Sequence, residues 1–183
     1  MADLAFWECL YTPGHDAACL IRQGVEGWLL HGTAVFRHEA GPARVNYTVE
    51  LDGAWRTIRG TVRGYLADRP VDHVIERQPG GWHLDGRRVE GLDHLVDLDY
   101  GFTPATNMQQ LRRAALQPGH TLDLPAAWFD LGMTSLIELP QRYTCRDAAT
   151  YHYESPAASY EAILEIAPNG FVRTYPHLWR MAP

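Results

Sequence analysis

Lysine is absent from the chain, and all sixteen basic residues are arginine. They are scattered from Arg22 to Arg180 rather than gathered in a stripe, and against 22 acidic residues they leave a formal charge of −6. A field of that sign repels nucleic acid, so no DNA or RNA partner is expected. Cysteine is scarce too. Cys9, Cys19 and Cys145 are an odd count of three with no C-x-x-C pair and no zinc spacing, which points to reduced, mostly buried thiols. Serine occurs only at positions 135, 155 and 159, never in a G-x-S-x-G elbow. P-loop, H-E-x-x-H and G-x-G-x-x-G motifs are missing as well, which disfavours nucleophilic hydrolysis and nucleotide binding. No apolar run approaches the ~18 residues of a membrane span. The opening MADLAFWECLYTPGHD carries Asp3 and Glu8 and lacks a basic start, unlike a signal peptide. A cytoplasmic protein with no integral membrane association is the expectation.

Hydrophobic residues make up 46% of the 183 positions and charged residues 21%, which suits one globular domain spanning 1–183. Alternation is clearest over 44–51, where Val45, Tyr47, Val49 and Leu51 share one face while Arg44, Asn46, Thr48 and Glu50 share the other. Asp52-Gly53 then marks a turn, and β-branched and aromatic residues resume over 54–63, predicting a hairpin. Similar punctuation follows. Val71–Arg77 closes on Pro79-Gly80-Gly81, Asp85-Gly86 sits inside a tight hairpin over 82–89, and Asn169-Gly170 separates candidate strands at 160–166 and 171–175. Short links between antiparallel neighbours favour a meander closed into a barrel, sandwich or rolled sheet over a βαβ plan. No repeat period or low-complexity tract suggests a solenoid or propeller.

One segment breaks this rhythm. In Thr103-Pro-Ala-Thr-Asn-Met-Gln-Gln-Leu-Arg-Arg113, Thr103 can cap with Pro104 at the first helical position, or Thr106 can cap with Gln109 as a capping box. Good helix formers follow, and Pro118-Gly119 is the stop signal. About three turns cannot stand without tertiary packing. Ala105, Met108, Leu111 and Ala115 fall along one side, so the helix is expected to lie against the sheet.

Nine histidines raise the question of a metal, with His83 or His94 near Asp93, Asp97 and Asp99, but the spacing fits no ligand motif and neither metal nor cofactor is expected. Asp97 and Asp99 precede a helix carrying Arg112 and Arg113. Two readings stand: ion pairs that fix the helix to the sheet, or an arginine whose fork of donors binds an anionic or hydroxyl-rich head group. Aromatic residues, among them Tyr47, Trp55 and Trp82, occupy nearly every predicted strand. They are ordinary core material, yet they also stack on sugars and line acyl tunnels.

Leu51-Asp-Gly-Ala-Trp-Arg56, Gly80-Gly-Trp-His-Leu-Asp-Gly86, and Leu95-Val-Asp-Leu-Asp99 running into Thr103-Pro-Ala-Thr-Asn107 and Leu111-Arg-Arg113, together resemble the putative glycolipid-binding family of bacterial proteins. Leu139-Pro-Gln-Arg-Tyr-Thr144, Tyr151-His-Tyr-Glu-Ser155 and Asn169-Gly-Phe-Val-Arg-Thr-Tyr-Pro176 look like its later blocks, in the same order. Ala105 and Met108-Gln-Gln110 depart from it, standing where the family usually has bulky apolar residues and a proline. The resemblance implies a mainly β fold, a spiral β-roll of about fifteen antiparallel strands wrapped around one central helix near 103–115. It also implies a non-enzymatic binder of an amphiphile, a glycolipid or fatty-acyl compound, held between sheet and helix. On that expectation Arg112 or Arg113 fixes the polar end, with Asn107, Asp97 and Asp99 as polar neighbours, and Tyr47, Trp55 and Trp82 border the pocket. The rival readings are an enzyme using Asp97, Asp99 or His94 as acid or base, and a protein-interaction module using a strand edge or apolar patch.

Overall fold

The computed structural model describes residues 2–24 and 27–182. Along the chain run β1 (Asp3–Cys9), β2 (Gly14–Gln23), β3 (Gly27–His38), β4 (Gly41–Leu51), β5 (Thr57–Leu66), β6 (Arg69–Gln78), β7 (Gly81–Leu84), β8 (Arg87–Val89) and β9 (Leu98–Tyr100). After the helix α1 (Asn107–Ala114) come β10 (Thr121–Asp123), β11 (Ala126–Phe129), β12 (Ile137–Leu139), β13 (Arg142–Cys145), β14 (Thr150–Ser155), β15 (Tyr160–Ile166), β16 (Val172–Tyr175) and β17 (Trp179–Met181). Fourteen strands form one antiparallel sheet in the order β10-β13-β14-β15-β16-β17-β1-β2-β3-β4-β5-β6-β7-β8. β17 pairs with β1, so the two ends of the chain meet in mid-sheet. A second sheet, β12-β11-β9, joins β11 to β12 antiparallel and to β9 parallel.

The helix partners show that the large sheet curls round α1. Asn107 Nδ2 donates to the Tyr143 hydroxyl on β13 at 2.8 Å, Arg112 pairs with Asp3 on β1 at 3.2 Å, and Gln109 Nε2 reaches Thr57 Oγ1 on β5 at 3.5 Å. Those strands are the second, seventh and eleventh of the sheet order. A helix of about 12 Å diameter touches strands that far apart only if the sheet is wrapped around it. The protein is mainly β with a single α-helix among the described residues.

Inward positions alternate as the pattern predicts: in β4, Ala43, Val45, Tyr47, Val49 and Leu51 are all buried. The curl brings bulky inner side chains close to neighbouring backbone, and glycine makes room for them. A Cβ on Gly32, the cross-strand partner of Tyr47, would lie 2.3 Å from the Tyr47 hydroxyl. One on Gly60 would lie 2.3 Å from the Tyr100 hydroxyl and 2.4 Å from Leu98 Cδ2.

Two local expectations shift. The strand after Asp52-Gly53 resumes at Thr57 rather than Ala54, because Asp52 Oδ1 accepts the N–H groups of Ala54 and Arg56, both at 2.9 Å, and holds a wider loop with Trp55 at φ 65°. The helix starts at Asn107 rather than 103. Thr106 has helical angles and makes no side-chain cap, since its hydroxyl is committed to Asp99 at 2.5 Å and accepts the Tyr100 N–H at 3.2 Å. Ala115, left-handed at φ 45°, ends the helix before Pro118-Gly119 by returning its N–H to Leu111 O at 3.0 Å. Met108 and Leu111 are buried as the spacing predicts, but so are Asn107, Gln109 and Gln110, so the first turns are enclosed on all sides.

Candidate functional site

A cavity of about 400 Å³ opens between the N-terminal end of α1 and the β14–β17 part of the rolled sheet. Its deep wall is polar: Asp99, Thr103, Asn107 and Ser155 line it and all are buried. Its sides are aromatic, from Tyr153, Tyr160, Tyr175, Trp128 and Trp179. These rings pack on one another, Tyr153 to Tyr175 at 5.6 Å and Tyr160 to Tyr175 at 5.4 Å between centroids, and Tyr160 is further held by donating to Pro176 O at 2.6 Å. The rim is open and mostly apolar, with Ile137, Ala157 and Ala158 exposed there beside one charged residue, Glu138. The short β12 and the 3-10 turn Pro156–Ala158 supply that rim.

Two buried carboxyls stand in or behind the deep wall. Asp99 accepts from Thr106 at 2.5 Å and from Gln141 Nε2 at 2.7 Å. Gln141 Oε1 in turn lies 2.9 Å from the Tyr143 hydroxyl, which accepts from Asn107 Nδ2 at 2.8 Å and lies 3.0 Å from Gln110 Oε1. Desolvation pushes the Asp99 pKa up to about 6 against the opposing hydrogen bonds from Thr106 and Gln141. Burial first, then the nearby Asp99 charge, pushes the Tyr153 phenol up to about 12. Asp16, on β2 behind Thr103, accepts from the Thr103 hydroxyl at 2.5 Å and from the Tyr47 hydroxyl at 2.9 Å. Burial raises its pKa to about 7 against the lowering effect of those hydrogen bonds. The Ser155 hydroxyl, in a residue 2% exposed, has no partner at hydrogen-bonding geometry, although it lies near enough to the Tyr153 phenol to influence it.

Of the residues singled out from sequence, the structure brings Asp99 and Asn107 to this cavity. The others are engaged elsewhere. Arg113 binds the fully buried Asp97 with both arms of its fork, at 3.0 and 2.5 Å, an ion pair between helix and sheet. Burial raises the Asp97 pKa while Arg113 lowers it. Arg112 donates to Asn169 O at 2.6 Å, pairs with Asp3, and lies 4.8 Å above the Trp55 ring. Trp55 stacks in turn on Trp28 at 4.6 Å. Tyr47 is core, bonded to Asp16, and Trp82 is core with its indole N–H on Leu95 O at 3.1 Å. His94 pairs at the surface with Glu138 at 3.2 Å. Among the described residues no group of three or more His, Cys, Asp or Glu is placed to hold a metal ion. Among the described residues no helix is long and apolar enough to cross a membrane.

Sequence reasoning missed Asp16, Thr103 and Ser155 as site groups. Asp16 was visible in principle: it alternates with Ala18 and Leu20 on the face of β2 that turns inward. Ser155 carried the same signal more weakly, alternating with Tyr153 on the buried face of the short β14.

The model of the family described as "Putative glycolipid-binding" matches residues 4–181. No curated protein matches the chain. A crystal structure of a DUF1089 family protein from Pseudomonas aeruginosa is similar in fold, with a TM-score of 0.76 at 22% identity over 87% of this chain and 94% of that one.

Proposed function

Since the chain belongs to the family described as "Putative glycolipid-binding", we propose that it binds an amphiphile in the cavity between α1 and strands β14–β17. The observation that carries this is the cavity's chemistry: a buried polar wall, aromatic sides and an apolar rim in one recess. Aromatic rings offer flat faces to a sugar or chain, and a few convergent polar groups set its orientation. About 400 Å³ is near the lower end for small-molecule sites, roughly 300–1,000 Å³. It accommodates one head group or a short chain rather than a whole two-chain lipid. Asp99 and Asn107 are the ligand-facing residues among those expected from sequence.

Binding fits better than acid–base catalysis. Asp99 and Glu138 both line the cavity, but both Asp99 oxygens are already occupied, by Thr106 and Gln141. A carboxyl so engaged holds structure in place rather than moving protons to a substrate. A cytoplasmic carrier or sensor is the role proposed, in keeping with three free cysteines.

Native mass spectrometry of the purified protein before and after denaturing extraction, with titration of a fluorescent acyl probe, tests the reading. A co-purified amphiphile or saturable probe binding is expected, and Ala158→Trp, at an exposed rim position, should abolish it. A protein that carries nothing, and whose probe binding ignores Ala158→Trp, refutes it.

A further inference from the structure

We infer that the cavity takes a neutral polyol head group, inserted head first, and rejects anionic head groups. The inference rests on the cavity being the binding site and deepens it to a ligand class and an orientation.

Orientation follows from the burial gradient. Hydroxyls and an amide are at the bottom, in Thr103, Asn107 and Ser155, all at most 4% exposed, whereas the exposed rim is Ile137, Ala157 and Ala158 with Glu138 as its one charged member. An amphiphile placed tail first would press a chain on buried polar groups and leave its head over an apolar rim, losing at both ends. Head first, a ligand hydroxyl comes to the polar end of the recess, where Ser155 Oγ, shut off from solvent and without a partner at hydrogen-bonding geometry, can meet it by a turn of its side chain; a buried hydroxyl without a partner is an open demand for one. The chain then leaves across Ile137.

Charge selection follows from what lines the recess. It is lined by two carboxyl groups, the buried Asp99 and the exposed Glu138 that pairs with His94, and, among the described residues, by no arginine or histidine. The two arginines of α1 are spent on Asp97 and on Asp3 with Asn169, Arg180 beside Trp179 pairs with Glu8, and Arg142 pairs with Asp123. A sulfate, phosphate or carboxylate head would come to lie against the buried Asp99 carboxyl with no arginine or histidine lining the recess to offset the repulsion. Neutral hydroxyls, by contrast, can both donate to the carboxyl side and accept from Asn107 and Ser155.

The test uses octyl β-D-glucoside, octyl sulfate and octanoate, all below their micelle thresholds, with methyl β-D-glucoside as the chainless control, followed by calorimetry and saturation-transfer NMR. Octyl glucoside should bind with its ring protons more strongly saturated than its terminal methyl. Both anions should bind at least tenfold more weakly, methyl glucoside should also bind more weakly than the octyl form, and Ser155→Ala should weaken octyl glucoside several-fold. Equal binding of octyl sulfate, or stronger saturation of the methyl than of the ring, overturns the inference and leaves the cavity standing as a binding site. Methyl glucoside binding as tightly as octyl glucoside overturns the amphiphile, making the ligand a free sugar. No binding by any of the four overturns the site as well.

Discussion

Asp16 gives the sharpest quantitative handle on this interior. Its carboxyl is fully buried, and what surrounds it is the Thr103 hydroxyl at 2.5 Å, the Tyr47 hydroxyl at 2.9 Å and the Ala17 backbone, with no cation contributing to its titration. Desolvation therefore dominates, and the pKa rises from 3.8 to about 7. Below about pH 4 the group is protonated in both folded and unfolded chains and contributes no pH dependence. Between about 4 and 7 the folded chain retains a proton that the unfolded chain has released, so stability falls as pH rises, by about 1.4 kcal/mol per unit. Above 7 both forms are ionised and the slope vanishes. Across the whole window the loss is of order 4 kcal/mol, and about 3 kcal/mol of it falls between pH 5 and pH 8. Asp16→Asn keeps one acceptor and one donor for Thr103 and Tyr47 and removes the titration. Urea unfolding of both proteins at pH 5 and pH 8 isolates the effect, because the other titrating groups cancel in the difference. The wild type should lose about 3 kcal/mol relative to the variant on going from pH 5 to pH 8. A difference that does not change with pH refutes the claim that Asp16 is buried without a counter-charge.

The two arginines of α1 should separate in a stability assay. Arg113→Ala strands the fully buried Asp97 and should cost about 3 kcal/mol or more in urea unfolding, whereas Arg112→Ala, whose partner Asp3 is 38% exposed, should cost about 1 kcal/mol. Gly60→Ala drives a Cβ to within 2.4 Å of both the Tyr100 hydroxyl and Leu98 Cδ2 and should destabilise by about 1–3 kcal/mol, seen as a lowered thermal midpoint. Thr106→Val removes a donor from buried Asp99 and should cost about 1–3 kcal/mol. It should also raise the Asp99 pKa above about 6, measurable by carboxyl carbon NMR, because a bond that favours the charged form is lost.

Long alternating strands were legible because one face is buried and the other wet: Val45, Tyr47, Val49 and Leu51 announce β4, and the turn at Asp85-Gly86 announces β7 and β8. β9 did not announce its parallel pairing with β11. Its three residues Leu98, Asp99 and Tyr100 are all buried, so no alternation survives, and so short a segment carries no directional signal. The site was half legible for a related reason. Asp97 and Asp99 looked equivalent by spacing, yet one meets Arg113 on the helix and the other meets Thr106 and Gln141. Arg112 finds Asp3 109 residues away in sequence, a partner that only the closure of β17 on β1 brings near.

The polar run Met108-Gln-Gln110 acquires a physical meaning inside the roll. A helix enclosed by sheet on all sides would gain more transfer free energy from leucine than from glutamine, and two buried glutamines even leave Gln109 Oε1 and Gln110 Nε2 without protein partners. What they add is direction. Gln109 Nε2 reaches Leu98 O at 2.5 Å, and Gln110 Oε1 takes the other side, at Tyr143 on β13. Apolar contacts would hold the helix nearly as well at several rotations about its axis, but these bonds are made at one. That rotation points Asn107 at the recess and Arg113 at Asp97, so the polar axle sacrifices some stability to set which residues face the recess.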